Sequence, residues 1–404
     1  VTAGQPGSPA AQGAVGEPGS RQLAWAYLSR VVLGPCPALT ALIESVGVVE
    51  AARAVRERDL PQVLHAATAV RRAEDRAAQD LETIGGLDGR LVTPDDPEWP
   101  AWRMLGLSQL PPGRESDGAV PLVFWVRGTR DLTELTERSL AVVGARCSTG
   151  YGDRAAGALA GDLAARGWTI VSGAAFGIDG MAHRAALAVG GATIAVLACG
   201  VDRPYPAQHD RLLDRIAETG LVVSEYPPGT TARKHHFLAR NRLIAALSDG
   251  VLVVEAGVRS GARNTVKWAR RIGRPAMAVP GSVDSAASAG CHRMIRDGEA
   301  VLVSSAEEVL ADAAPLHLPP VGDSEPPAVH QLTPAQSSVY AALPTTGGRW
   351  PHELCGPTGL AVAEIRAGLA ALDMAGLAGS GGSGWFRLRN GPRTPADRPA
   401  DSGE

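Results

Sequence analysis

An α/β fold with a doubly wound, mostly parallel sheet is what the sequence predicts, and three observations carry the prediction. Short Val/Ile/Ala-rich runs recur after Ser139, at residues 140–143, 169–172, 193–198, 221–224, 250–254 and 275–279. None alternates polar with apolar side chains, which marks strands covered on both faces. Most are followed by roughly 10 to 20 residues of helical pattern, the rhythm of strand–helix–strand units. Aromatic residues make up only 4% of the chain against 45% hydrophobic residues overall, which suits helices packed on aliphatic strands better than an aromatic-cored sandwich.

The other segments follow in chain order. Residues 1–20 are mostly Gly, Ala, Pro and Ser with no basic start and no apolar run, so they read as a disordered tail and not as a signal peptide. Residues 21–85 carry helical periodicity in Leu23, Tyr27 and Val31, then Leu39, Leu42 and Val46 after a Gly/Pro turn at 33–37, and form a small helical domain. Two extended runs at 90–93 and 122–126, separated by Pro- and Trp-containing loops, lead into the main domain, which spans 86–313. Residues 314–331 shift to Pro, Asp, Ser and Glu and form a linker. Three helical stretches and a strand at 385–388 after a glycine-rich turn give residues 332–389 the pattern of a winged helix, and a second disordered tail covers 390–404.

Composition narrows the setting. Five cysteines, Cys36, Cys147, Cys199, Cys291 and Cys355, are an odd number without any CxxC pair, which argues against a disulfide framework or zinc ribbon and for a reducing, cytoplasmic compartment. No stretch approaches the roughly 18 apolar residues of a membrane span. Net charge is only −3 over 404 residues. Between Tyr226 and Pro275, however, eight arginines and both lysines of the chain, Lys234 and Lys267, stand against Asp249 and Glu255, a local charge of +8. Concentrated basic charge of this kind points to a polyanion, with a merely solvated helix face as the plainer alternative.

Four segments at the carboxyl ends of the expected strands carry the chemistry. Gly144-Ala145-Arg146 follows the first strand of the main domain, with Gly150 and Gly152 beyond. Such a turn points backbone N–H groups at an anion, and Arg146 could fork onto a phosphate; the plainer alternative is a turn with a solvated arginine. Ser172-Gly173, leading to Gly177, repeats the small-residue loop at the second strand, with a hydroxyl to add. Asp179 and His183 share a helix face four residues apart, which raises a metal or acid/base pair, but no third ligand accompanies them. They read better as a cap for the first turn and a side chain packed beneath the loop. Lys234, Phe237, Arg240, Asn241 and Arg242 combine cations with a ring, as a single strand requires: the cations hold phosphates while an unstacked base packs on the ring. The alternative puts Phe237 in the core and Asn241 at a turn. Ser260, Gly261 and Arg263 close the set at a third small-residue turn.

Taken in order, VGARCSTGYG, SGAAFGIDGMAHRAAL, TIAVLACGVDRPYP, GLVVSEYPPG, FLARNRLIAALSDGVLVVEAGVRSGA and AVPG with SAGCHRMI resemble the signature of DprA/Smf proteins over roughly residues 122–303. The resemblance implies a Rossmann-like domain that binds single-stranded DNA in a basic pocket and dimerises. It also implies loading of RecA recombinase, with displacement of single-strand-binding protein, during natural transformation. Arg146 matches the family's motif arginine, Lys234 and Phe237 its KxxF pair, and Arg240, Asn241 and Arg242 its RNR element. Residues 21–85 are similar to its SAM-like domain and 332–389 to its winged helix. Ala145, Leu238, the segment 261–265 and Gly290-Cys291-His292 depart from the family pattern but leave the cationic residues in place.

Three functions compete on this basis. A nucleotide phosphoribohydrolase shares the glycine-rich loops but needs a PGGxGT segment, where this chain reads Glu255-Ala256-Gly257-Val258-Arg259-Ser260-Gly261. A dinucleotide oxidoreductase needs GxGxxG on the first turn, which lacks that spacing, and an ATPase needs GxxxxGK[ST], which does not occur. A scaffold with an inert core is the third. The expectation is a non-enzymatic single-strand binder without a cofactor or metal.

Overall fold

The computed structural model describes residues 18–110, 119–313, 332–345, 347–374, 377–381 and 384–388. The expected linker at 314–331, the C-terminal tail at 390–404 and residues 1–17 of the N-terminal tail lie outside them. The chain divides into two compact units, Val1–Leu316 and His317–Glu404.

The first unit opens with helices α1 (Pro18–Val32), α2 (Pro37–Val46), α3 (Val48–Glu57), α4 (Gln62–Thr68) and α5 (Ala77–Gly85). Pro18 to Ser20 already belong to α1, so that end of the expected tail is helical. The apolar stripe of these helices, with Tyr27, Leu28, Val31, Leu39, Val55 and Leu64 buried, packs into the same core as Trp125, Ala195 and Val222 of the sheet. Arg30 anchors the packing: it is buried, forks onto Asp80, and donates to the Pro228 carbonyl at 2.7 Å.

The sheet has nine strands: β1 (Gly89–Val92), β2 (Phe124–Arg127), β3 (Ser139–Val143), β4 (Thr169–Ser172), β5 (Thr193–Val196), β6 (Leu221–Ser224), β7 (Gly250–Val253), β8 (Ala276–Ala278) and β9 (Val301–Leu302), in the spatial order 1-2-6-5-4-3-7-8-9. β3 to β9 are mutually parallel, and the β1–β2 hairpin adds antiparallel to β6. The two extended runs at 90–93 and 122–126 are thus part of the sheet. β9 escaped the sequence reading because only two residues, both exposed, form it within the short apolar run 300–303.

Helices cover both faces. α6 (Ala101–Ser108), α7 (Leu132–Thr136), α11 (Lys234–Ala246), α12 (Ala262–Arg271) and α13 (Ala289–Arg296) enclose one core with Ala141, Val143, Ile194, Val196, Val251 and Val253. α8 (Gly150–Ala165), α9 (Ile178–Ala188) and α14 (Ala306–Ala313) cover Leu140, Val142, Ile170 and Leu252 on the other face, where α10 (Asp210–Thr219) packs beside the N-terminal helices. Successive strand residues thus serve opposite cores, the period-2 geometry that makes the middle of each strand apolar on both faces. The strand order reverses at β3: β4 lies on one side and β7 on the other, so the loops after β3 and β7 diverge and leave a crevice at their carboxyl ends.

In the second unit, α15 (Pro334–Ala342), α16 (Cys355–Thr358) and α17 (Val362–Met374) enclose Val339, Leu354, Ile365, Leu369 and Leu372. Thr333 caps α15, accepting from the Gln336 N–H at 3.3 Å while Gln336 reaches back to the Thr333 N–H. β10 (Ala378–Gly381) pairs antiparallel with β11 (Gly384–Arg387). Part of the expected glycine-rich turn is therefore strand, and residues 382 and 383 lie outside the described residues.

Candidate nucleic-acid interface

The crevice at the β3/β7 switch is a cleft of about 480 Å³ bordered by Gly144, Ala145 and Arg146 after β3, Ala175 and Asp179 after β4, Phe237, Leu238, Arg240 and Asn241 on α11, and Gly257, Arg259, Ser260 and Gly261 after β7. All four segments singled out in the sequence reach it. They do so in different capacities.

Two carboxylates of the protein occupy the anion seats that the glycine turns create. Glu255 is buried beneath the N-terminus of α8, where it accepts from the Thr149 N–H at 2.8 Å and the Thr149 hydroxyl at 2.7 Å. A side chain on Gly152 would collide with that carboxylate. Asp179, buried at the start of α9, faces the amides of Ala175, Gly144 and Gly173. Burial pushes its pKa up, against the pull of the Arg240 guanidinium and those amides. Helix N-termini and glycine nests that would hold a nucleotide phosphate are in this way filled from within.

The arginines divide by burial. Arg240 is 5% exposed and donates to the Gly173 carbonyl at 2.8 Å and to the Val196 carbonyl. Its guanidinium lies against Gly173, where a side chain would displace it. Desolvation lowers its pKa while Asp179 opposes the shift. Arg240 is therefore the floor of the cleft. Arg242, expected to grip a phosphate, does not reach the cleft: it is fully buried, forks onto Glu225 at 2.9 and 2.7 Å, and donates to the carbonyls of Ala119 and Ala239. Two residues along a helix turn the side chain by some 200°, and the sequence spacing did not reveal which face is inward. Ser172 is corrected likewise, since its buried hydroxyl donates to the Val142 carbonyl at 2.6 Å. Arg263 turns away from the cleft and pairs with Glu299 and Asp297.

What remains at the surface is a smaller set. Arg146 is exposed, and its guanidinium lies 5.2 Å from the centre of the half-buried Phe237 ring. Lys234 is exposed at the first turn of α11, three residues before Phe237 and thus on the same helix side. Ser260 and Gly261 line the opposite wall, and the Asn241 amide donates to Asn264 at 3.1 Å to tie α11 to α12. Gly177, at φ +72°, lets the loop before α9 pass under the Ala145 carbonyl.

Two contributors escaped the sequence reading. Arg259 is exposed on the cleft wall, and Tyr205, 45% exposed, brings its ring to 5.2 Å from Phe237. The local charge excess could have flagged Arg259, whereas nothing near Tyr205 foretells that ring pair. Asp179 and His183 form no metal or acid/base pair. His183 is buried, with Nδ1 2.7 Å from the Thr193 hydroxyl, and burial lowers its pKa to about 3. Among the described residues no cluster of His, Cys, Asp and Glu could hold a metal. All five cysteines are free thiols, and no helix of the described residues is long and apolar enough to cross a membrane.

Comparison with known proteins addresses the same region. The family described as DNA recombination-mediator protein A matches residues 90–314, which include β2 to β9 and all of β1 but its first residue. The putative DNA processing protein DprA of Mycobacterium tuberculosis is 46% identical over 380 residues, covering 93% of this chain and 97% of that protein. Protein Smf of Escherichia coli is 38% identical over 277 residues, or 67% of this chain and 72% of its own length. The X-ray structure of DNA processing protein A from Streptococcus pneumoniae superposes with a TM-score of 0.60 at 31% identity, covering 72% of this chain and 97% of that one. The sheet, its switch-point cleft and this near full-length similarity make the chain a member of the DNA recombination-mediator protein A family, the DprA/Smf proteins.

Proposed function

We propose that the protein binds single-stranded DNA in the switch-point cleft without acting on it chemically, and hands the strand to RecA recombinase during DNA processing and natural transformation. The observation that carries this reading is the contrast between occupied and open positions. The inner anion seats hold Asp179 and Glu255, while Arg146 remains exposed beside the Phe237 ring that Tyr205 flanks, Lys234 is exposed one turn before that ring, and Arg259 is exposed on the cleft wall. A phosphoribohydrolase would need those inner seats for a nucleotide's phosphate, so the arrangement disfavours the enzymatic alternative. A strand lying across the rim needs only surface cations for its backbone and ring faces for its bases.

The remaining parts of the proposal extend this core. Residues 21–85 act as a SAM-like domain ahead of the main domain at 86–313, and 332–389 act as a winged helix that a linker at 314–331 joins to that main domain. The protein works in the cytoplasm as a homodimer, needs no cofactor, and displaces single-strand-binding protein. Membership of a family named for DNA processing supports this assignment.

The test is oligonucleotide binding by fluorescence anisotropy across a salt series. Replacing Arg146 and Lys234 together by alanine lowers single-strand affinity at least about tenfold and flattens the log affinity against log salt slope by roughly 1.4, about 0.7 per lost phosphate contact. Phe237→Ala costs about 1 to 3 kcal/mol with the salt slope unchanged, because stacking releases no counterions. Unchanged binding in both variants would instead support a scaffold whose second unit carries the DNA.

A further inference from the structure

The basic charge does not end at the cleft rim. α12 begins inside the cleft, where Gly261, Ala262 and Thr265 line it, and its outer side borders a neighbouring groove of about 540 Å³. That groove is walled by Arg263, Lys267, Arg270 and Arg271. Positions 263, 267, 270 and 271 follow the i, i+4, i+7, i+8 spacing of one helix face, while Trp268 and Ala269 are buried beneath it. α12 thus borders both concavities, and the hydrogen bond from Asn241 in the cleft to Asn264 in the groove links them.

The cations differ in how far they are compensated. Arg263 is engaged by Glu299 and Asp297, whereas Lys267 and Arg270 are exposed and form no ion pair or side-chain hydrogen bond among the described residues, although the Arg270 charge also acts on Glu299. A basic last turn complements the helix dipole and accounts for Arg270. It does not account for Lys267 in the middle of the helix, three residues from one arginine and four from another. Lys267 is also one of only two lysines in the chain, and the other, Lys234, stands at the cleft.

We infer that the outer face of α12 is a backbone track that receives the phosphates of the same strand as it leaves the cleft past Asn264. The only aromatic side chain of α12, Trp268, is buried, so the track holds phosphates without reading bases. Its contribution is independent of sequence and grows with strand length. This inference rests on the cleft being the single-strand site, and the experiment separates the two.

Wild type, Lys267→Ala/Arg270→Ala and Arg146→Ala are titrated with the shortest oligonucleotide that binds measurably and with one several times longer. The track requires the double variant to lose roughly five- to tenfold affinity for the long strand, with a salt slope lower by about 1.4, and to bind the short one like wild type. Both substitutions are at exposed positions, and unchanged thermal melting verifies the fold; Lys267→Glu/Arg270→Glu should enlarge the same length-dependent loss. Equal loss at both lengths, or no loss at either, while Arg146→Ala still weakens binding, overturns the track and leaves the cleft standing. If neither length binds to wild type, or Arg146→Ala binds both unchanged, the cleft reading fails and the track falls with it.

Discussion

Arg240 and Arg242 stand two positions apart in one helix, yet neither occupies the situation that Arg146 does. Arg146 keeps its charge at the surface beside a ring. Arg240 satisfies loop carbonyls under the cleft, and Arg242 neutralises Glu225 in the interior. A guanidinium suits all three places because its planar fork can bind two oxygens at once and is more weakly hydrated than an ammonium. Arg242→Ala would leave Glu225 buried without its partner, and the expected cost is about 3 to 5 kcal/mol of stability. Urea denaturation measures it as a fall in midpoint. Where the variant is still folded, its oligonucleotide affinity should retain the wild-type salt slope, because Arg242 contacts no phosphate; a flatter slope would return it to the interface.

At the scale of elements, the cleft depends on loops that pass closer to one another than a side chain allows. The loop from β4 to α9 crosses under the loop after β3 at Gly177, whose φ of +72° and contact with the Ala145 carbonyl exclude a Cβ. Gly177→Ala is expected to destabilise the protein by about 1 to 3 kcal/mol. It should also weaken oligonucleotide binding, since the displaced loop carries Arg146 or the Asp179 helix with it. Thermal melting and anisotropy read the two effects separately, and an unaltered melting temperature would show that the crossing tolerates a methyl group. The strands were legible because runs buried on two faces keep Val, Ile, Leu and Ala in consecutive positions, with Ser or Thr only at their ends. β10 was not, because Ala378, Gly379 and Gly381 have the composition of a turn and pair only through their backbones.

For the whole molecule, stability toward acid follows from histidines kept neutral by burial. His183 titrates at about 3 in the folded protein against an ordinary value of 6.5, and burial lowers the His236 pKa as well. Below pH 6.5 the unfolded chain takes up protons that the folded His183 refuses, so stability is full above that pH and declines as pH falls toward 3. Each such proton contributes a slope of about 1.4 kcal/mol per pH unit. Denaturation midpoints recorded between these limits should therefore fall less steeply in His183→Gln than in wild type. Parallel pH profiles for the two proteins would refute the assignment. The first unit shares its buried core between the N-terminal helices and the sheet, so its loss is expected to be cooperative, whereas the second unit encloses a core of its own.

Local patterning was sufficient for the class of fold, six of the seven parallel strands, the loops that meet at the switch point, and the concentration of basic charge. These depend on residues close together in the chain, where apolar periodicity, glycine turns and charge density are directly visible. Tertiary packing decided which arginines face solvent, that Asp179 and Glu255 fill the seats left by the glycine turns, and that Tyr205 meets Phe237. Those outcomes depend on partners far apart in sequence, such as Arg242 with Glu225 and Thr149 with Glu255, and on the rotation of each helix against the sheet. Neighbouring residues along the chain do not encode that rotation; it is set by which face of the helix would cost more free energy if left in water.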